Sequence, residues 1–255
     1  MLKSSFVKKI NINDVINDLI SKGFEGDQII EYLKNSGILE RLNQLQQDIG
    51  PAAVQGFEDD VADSMRGIMA GEYPEEDIYM YLVGKDREKD ILDPNNIAGL
   101  GYGYLDPEDE MENEDSVKQA LIDLGVDEEN IPEEVGPIMY FDTMVIEENY
   151  RTGNFGNLFK KLFEDFTRPQ VPIVMYCRGG TSFKMIASNV DFLQRLLDKK
   201  GFILAPPQEN LDQLSREQVM DSPIVEVNGE PLMFNGEPVR FEQYFNIIFL
   251  PKSMV

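Results

Sequence analysis

The spacing of apolar positions changes period several times along the chain. Phe6-Val-Lys-Lys-Ile-Asn-Ile alternates apolar and polar residues, the pattern of a half-buried strand. Asn13-Asp14 then offers a cap to a helix built on Val15, Ile16, Leu19 and Ile20, which Gly23 closes. Ile29, Ile30, Leu33, Ile38, Leu39, Leu42 and Leu45 continue at helical spacing, interrupted around Gly37, and Phe57 to Met69 reads as a further helix. The apolar runs Ile78 to Val83 and Ile97 to Leu105, joined by a polar loop, predict an antiparallel pair of strands. Pro137 to Ile146 predicts a strand, Phe155 to Phe166 a helix, Val171 to Cys177 a strand, and Ser182 to Lys200 a helix that Gly201 stops. Phe202 to Ala205 and Tyr244 to Leu250 complete the strands, with tight turns expected at Asn228-Gly229 and Asn235-Gly236. This order predicts the α/β class: a single domain, 1–255, with mixed strand directions in one sheet flanked by helices.

Charge adds one element to that picture. Residues 105–134 hold 13 acidic residues against Lys118 alone, a net −12 of the chain's −24. The stretch 106–134 therefore reads as an acidic insertion between strands. Its first part, Asp106 to Asp115, is expected to be a solvated, self-repelling loop. Val117, Ala120, Leu121 and Leu124 place a short helix in its second part, ending at Gly125.

Composition narrows the chemistry. The chain has no His and one Cys, Cys177. Nucleophile systems activated by imidazole and histidine-bearing zinc sites are excluded, and no metal is expected. A single thiol makes no intrachain disulfide. With no histidine to activate it, Cys177 reads as a buried structural thiol. The acidic balance disfavours nucleic acid and anionic membranes. The first residues lack the apolar run of a signal peptide, and no stretch reaches membrane-span length, so a cytoplasmic protein is expected. Gly99, Gly101 and Gly103 form Gly-x-Gly-x-Gly inside a strand, the wrong context for a dinucleotide site.

The segment Thr143-Met-Val-Ile-Glu-Glu-Asn-Tyr-Arg-Thr-Gly-Asn-Phe-Gly-Asn-Leu-Phe-Lys-Lys-Leu carries the most information. An apolar strand ends at Ile146, and Arg151, Gly153 and Gly156 then lead into a helix. Glycines let a backbone approach a ligand closely, and the amides of a first helical turn are unpaired donors suited to a phosphate or pyrophosphate.

This segment resembles motif A of the GNAT superfamily of acyl-CoA N-acyltransferases, in which a Val-x-Pro-x-Tyr-Arg phrase runs into an Arg/Gln-x-x-Gly-x-Gly/Ala loop. Ile146 to Arg151 fits the phrase with Glu148 where Pro is usual, and Arg151 and Gly156 match the ends of the loop. Asn154 stands where the middle Gly normally lies, and Gly153 comes one position early. Asn189-Val-Asp-Phe-Leu-Gln-Arg-Leu-Leu-Asp-Lys-Lys-Gly-Phe resembles the family's Asn-x-x-Ala-x-x-Leu-Tyr-x-x-x-Gly-Phe signature with one extra residue. The recognisable motifs lie between Met139 and Phe202.

The resemblance implies a GNAT-like domain with a central mixed, mostly antiparallel twisted sheet. It implies transfer of an acyl group from acetyl-CoA, or another acyl-CoA, to an amine. Met144, Val145 and Ile146 would pair with the pantetheine arm. The amides of Arg151, Thr152, Gly153, Asn154, Phe155, Gly156 and Asn157 would hold the pyrophosphate. Asn189 matches a position near the thioester, or else caps a helix. Lys160 and Lys161 read as exposed helix lysines. The family's usual tyrosine acid is replaced by Leu197. Asp142 and Tyr140, two apart on one strand, are the candidates for accepting the amine proton; a structural role for Asp142 is the other reading. An acidic protein attracts cationic acceptors. A second reading is a catalytically silent GNAT-like module serving in binding or in an assembly such as a virus particle, and a homo-oligomer fits either.

Overall fold

The computed structural model describes residues 5–47, 70, 78–106, 111–210 and 216–255. The helix expected at Phe57 to Met69 lies outside the described residues. In chain order the principal elements are β1 (Phe6–Ile10), α1 (Ile12–Ser21), α2 (Asp27–Asn35), α3 (Ile38–Gln47), β2 (Ile78–Gly84), β3 (Ile97–Asp106) and α4 (Met111–Asp123). There follow β4 (Ile138–Ile146), α5 (Arg151–Phe166), β5 (Ile173–Arg178), α6 (Lys184–Ala187), α7 (Val190–Lys200), β6 (Phe202–Leu204) and β7 (Gln208–Asn210). The chain closes with α8 (Arg216–Asp221), β8 (Glu226–Val227), β9 (Glu230–Pro231), β10 (Met233–Phe234), β11 (Glu237–Pro238) and β12 (Tyr244–Pro251).

The principal sheet has the hydrogen-bonded order β1-β2-β3-β4-β5-β12-β6, with β7 also on β12. The pairs β1/β2, β2/β3, β5/β12, β6/β12 and β7/β12 are antiparallel, and β4/β5 is parallel, Met139 to Phe141 lying opposite Ile173 to Met175. The sheet is therefore mixed, as the order of elements predicts, and mostly antiparallel, as the resemblance implies. A parallel neighbour for β4 requires a crossover, and α5 supplies it.

The chain forms two compact units. One comprises Met1–Tyr104 and Asp142–Asp165, the other Leu105–Phe141 and Phe166–Val255. In the first, the apolar stripes of α1 to α3 (Ile16, Leu19, Ile29, Ile30, Leu33, Leu42 and Leu45) join Leu82 and Leu100 of the strands in one buried cluster. Each such side chain contributes about 1.5–3 kcal/mol by leaving water. Gly37, at φ 79°, makes the sharp link between α2 and α3. Asp14 N donates to Asn11 Oδ1 at 3.3 Å, so the cap is Asn11, two residues before the expected Asn13, and α1 begins at Ile12.

The glycines of β3 have a packing explanation. A Cβ on Gly101 would fall 2.5 Å from Leu162 Cδ1 and 2.9 Å from Leu158 Cδ1, because α5 lies directly over β3 there. One on Gly99 would fall 2.7 Å from Val145 O.

In the second unit, β12 is buried from Phe245 to Pro251 between β5 and β6. Asn246 Nδ2 donates to Ser116 Oγ of α4 at 3.0 Å. The acidic stretch is more helical than expected, since α4 begins at Met111 and takes in Glu112 to Asp115. Glu114 explains the difference: it pairs with Lys118 at 2.7 Å one turn on and accepts from Val135 N at 3.1 Å. The region read as one helix from Ser182 to Lys200 is a π turn over Gly179–Phe183, then α6 and α7 with a break at Ser188 and Asn189. Gly201 ends α7 in the left-handed conformation, as its place in the sequence requires. Both Asn-Gly pairs are tight turns with positive φ at each residue, joining β8 to β9 and β10 to β11.

Candidate functional site

Strand β4 changes phase along its length. Met139 N donates to Pro172 O at 2.9 Å, on the β5 side, whereas Glu147 N donates to Ala98 O at 2.8 Å, on the β3 side. In a regular strand, amides an even number of residues apart point the same way. These two point oppositely, so the alternation slips by one residue between Met139 and Glu147. A slip of this kind leaves one residue of the strand outside the ladder.

Past Ile146 the chain makes a 3₁₀ turn over Glu148–Tyr150, with Tyr150 N on Glu147 O at 2.8 Å, and then enters α5. Arg151 Nε donates to Ile146 O at 2.9 Å, clamping the end of the strand to the start of the helix. The expected Arg151 to Gly156 loop is thus already helical from Arg151, with Gly153 at φ 80° inside its first turn. Among the described residues, nothing lies within 4 Å of where a Gly153 Cβ would be. This glycine answers a backbone demand and faces open space, the arrangement a ligand-approached turn needs.

The remaining sequence candidates fall into distinct environments. Asn154 is 4% exposed, and its Nδ2 donates to Ser5 Oγ at 2.6 Å and Tyr150 O at 2.8 Å, so its side chain serves the fold. Phe155 and Gly156 are half-buried and Asn157 is exposed. Val145 and Ile146 are buried, and Met144 is half-buried. Tyr140 is 3% exposed and stacks on Tyr176 with centroids 6.5 Å apart. The side chains of Asp142 and Thr152 lie outside the described residues. Asn189 is exposed, precedes α7, and donates from Nδ2 to Met185 O at 2.8 Å, closing α6. Leu197 is fully buried, a core residue of α7. Lys160 faces Glu164 at 3.8 Å, and Lys161 donates to Val7 O at 3.1 Å. Cys177 is fully buried, and desolvation pushes its thiol up to about 12.

One cluster at the end of β4 had no signal in the sequence. Glu147 Oε1 accepts from Arg41 of α3 and from Lys85, just past β2, the latter at 2.9 Å. These residues are distant in sequence and lie in no motif; only the sheet order brings them together. Among the described residues, no group of three or more Cys, Asp or Glu side chains is placed to hold a metal ion. No helix among them is long and apolar enough to cross a membrane.

No family model matches the chain, and no curated protein matches it. It is similar to a solved structure described as an acetyltransferase of the GNAT family from Desulfovibrio desulfuricans, at 8% identity over 96% of this chain and 97% of that one, with a TM-score of 0.42. A spermidine N-acetyltransferase chimera from Vibrio cholerae and human sequences is similar at 11% identity over 86% and 94%, with a TM-score of 0.38. An acetyltransferase from Bacillus subtilis in complex with CoA is similar at 11% identity over 72% and 82%, with a TM-score of 0.31. These three structures are each described as an acetyltransferase.

Proposed function

We propose that the protein transfers an acyl group from acyl-CoA to an amine. The observation that carries this reading is the run from β4 into α5: a strand whose alternation slips, then a clamped turn with Gly153 left-handed beside open space. The amides from Arg151 to Asn157 bind the pyrophosphate, and the backbone of Met144 to Ile146 receives the pantetheine arm. An amide left outside the ladder at the slip polarises the thioester carbonyl as an oxyanion donor. The neutral amine attacks the carbonyl carbon, a C–N bond forms, the C–S bond breaks, and CoA leaves as the thiolate. Asp142 takes the amine proton through water, with Tyr140 a buried supporting group on the same strand. With Leu197 buried at the usual acid position, the thiolate leaves unprotonated, which a thiol pKa of about 8.5 permits. A net charge of −24 favours a cationic acceptor.

Calorimetry with acetyl-CoA tests the binding step. Micromolar affinity that weakens at least tenfold in Gly156→Trp is expected; no heat at millimolar cofactor overturns the proposal. Thiol release in the presence of polyamines, amino sugars and peptides then tests transfer. Asp142→Asn should slow it and remove the lower limb of the pH-rate profile, whereas an unchanged profile removes Asp142 from the mechanism.

A further inference from the structure

The second compact unit carries an apolar groove beside the acidic stretch. It has a volume of about 540 Å³ and lies where β4 and β5 begin and β12 ends, with Val126, Ile131, Pro137, Pro169, Val171 and Met254 in its lining. A space of that size takes side chains of a ligand, not an ion. One wall is the 3₁₀ turn Glu128–Asn130, closed by Asn130 N on Asp127 O at 2.8 Å and Ile131 N on Glu128 O at 3.2 Å. Ile131 lines the groove, while Asp127, Glu128, Glu129, Glu133 and Glu134 are exposed along the same segment. No Lys or Arg stands between Val126 and Pro137 to offset these five carboxylates. Flanking cations are committed: Lys118 pairs with Glu114 at 2.7 Å and Lys252 with Asp198 at 2.9 Å, and Arg168 is half-buried with interactions of its own.

A strained residue also lines the groove. Val171 N donates to Arg168 O at 3.3 Å, closing a four-residue turn with Pro169 second and Gln170 third. Gln170 has φ 65°, where such a turn calls for glycine or asparagine. The other non-glycine residues with positive φ among the described residues are Asn228 and Asn235, both in Asn-Gly turns. What glutamine adds over glycine at position 170 is an exposed side-chain amide, both donor and acceptor, beside an apolar surface.

We propose that this groove docks an extended segment of a partner protein in which a bulky apolar side chain is flanked by Lys or Arg. The apolar side chain fills the groove, the basic ones meet the five carboxylates, and the Gln170 amide bonds the segment's backbone. The acidic wall repels nucleic acid, and a second copy of a chain of net charge −24 brings like charge to it. A small polyamine satisfies the charge but leaves the apolar lining in water. The docking site is independent of the acyl-CoA reading.

The test is fluorescence anisotropy on the full chain with three labelled peptides: Lys-Lys-Leu-Ala-Leu-Lys-Lys, Glu-Glu-Leu-Ala-Leu-Glu-Glu and Lys-Lys-Ser-Ala-Ser-Lys-Lys. The first should bind about tenfold more tightly than either of the others, and less tightly as salt rises. The double change Glu128→Lys and Glu129→Lys, at two exposed positions, should weaken it about tenfold with no fall in melting temperature. Gln170→Gly relieves the backbone while removing the amide, so it should leave the melting temperature equal or higher and still weaken binding, a combination that loss of folding does not produce. Equal binding of the two lysine peptides reduces the attraction to charge alone and overturns the groove. Failure of the leucine-lysine peptide to bind at millimolar concentration overturns it too, as does binding unchanged in either variant.

Discussion

Asn154 reaches from the first turn of α5 to Ser5 at the other end of the sequence, donating from Nδ2 to its hydroxyl at 2.6 Å while also closing on Tyr150 O at 2.8 Å. In the motif this segment resembles, the position belongs to glycine. Here it fastens Ser5, just ahead of β1, to the turn. Asn154→Gly would move the sequence toward the motif yet remove both bonds, and should destabilise the protein by about 1–3 kcal/mol in urea denaturation. Stability equal to wild type would show that the tether contributes nothing.

Gly153 and Asn154 are adjacent but answer different demands. Gly153 sits at φ 80° with open space around it, so a side chain there is opposed by the backbone and not by neighbours. Gly153→Ala should cost about 1–2 kcal/mol and weaken acetyl-CoA binding, with Gly153→Asn milder in both, since Asn tolerates the left-handed region better. Alanine and asparagine variants of equal stability would contradict this origin of the cost.

The two glycines that follow β5 differ in the same instructive way. A Cβ on Gly179 would lie 2.2 Å from Arg240 O, a backbone atom, whereas one on Gly180 would meet the ring of Phe241 at 2.0 Å. Gly179 N and Gly180 N donate to Gln243 O and Phe241 O at 2.6 and 3.0 Å, which holds the backbones together. Phe241 is 36% exposed and its ring can turn aside. Gly179→Ala should therefore destabilise by 1–3 kcal/mol or more, and Gly180→Ala by less. The reverse order in thermal denaturation would refute the packing described.

Cys177 gives a pH dependence with a definite sign. Burial raises its thiol from 9.0 to about 12. In the unfolded chain the thiol ionises first, so the stability associated with its protonated state is complete below pH 9 and is lost as pH rises from there toward 12. Cys177→Ala should flatten the alkaline limb of the stability curve relative to wild type. At pH 8 the native thiol should resist alkylation until denaturant is added; prompt labelling of native protein would disprove its burial.

Much of the architecture was legible because its signals are local. Alternation in Phe6 to Ile10, the glycines that end α1 and α7, and the two Asn-Gly turns each state their conformation within a few residues. Element boundaries were less legible. Whether α4 starts at Met111 depends on Glu114 finding Lys118 and Val135, and Val135 is a tertiary partner. At the candidate site, the phase of β4 was hidden because apolar residues stand on both of its faces, so the sequence does not alternate. The Arg41, Lys85 and Glu147 cluster was hidden because its members meet only once three separate elements have been placed side by side.

The position of β12 has a consequence for how the protein is made. This strand lies between β5 and β6, both of which precede it in the chain. During synthesis β5 and β6 both form before the strand that separates them, so β5 can pair only with β4 and the edges that β12 will join stay open until β12 is made. Non-local pairing of this kind is slow and leaves strand edges open meanwhile. The interval before β12 docks is when these open edges are most exposed to aggregation.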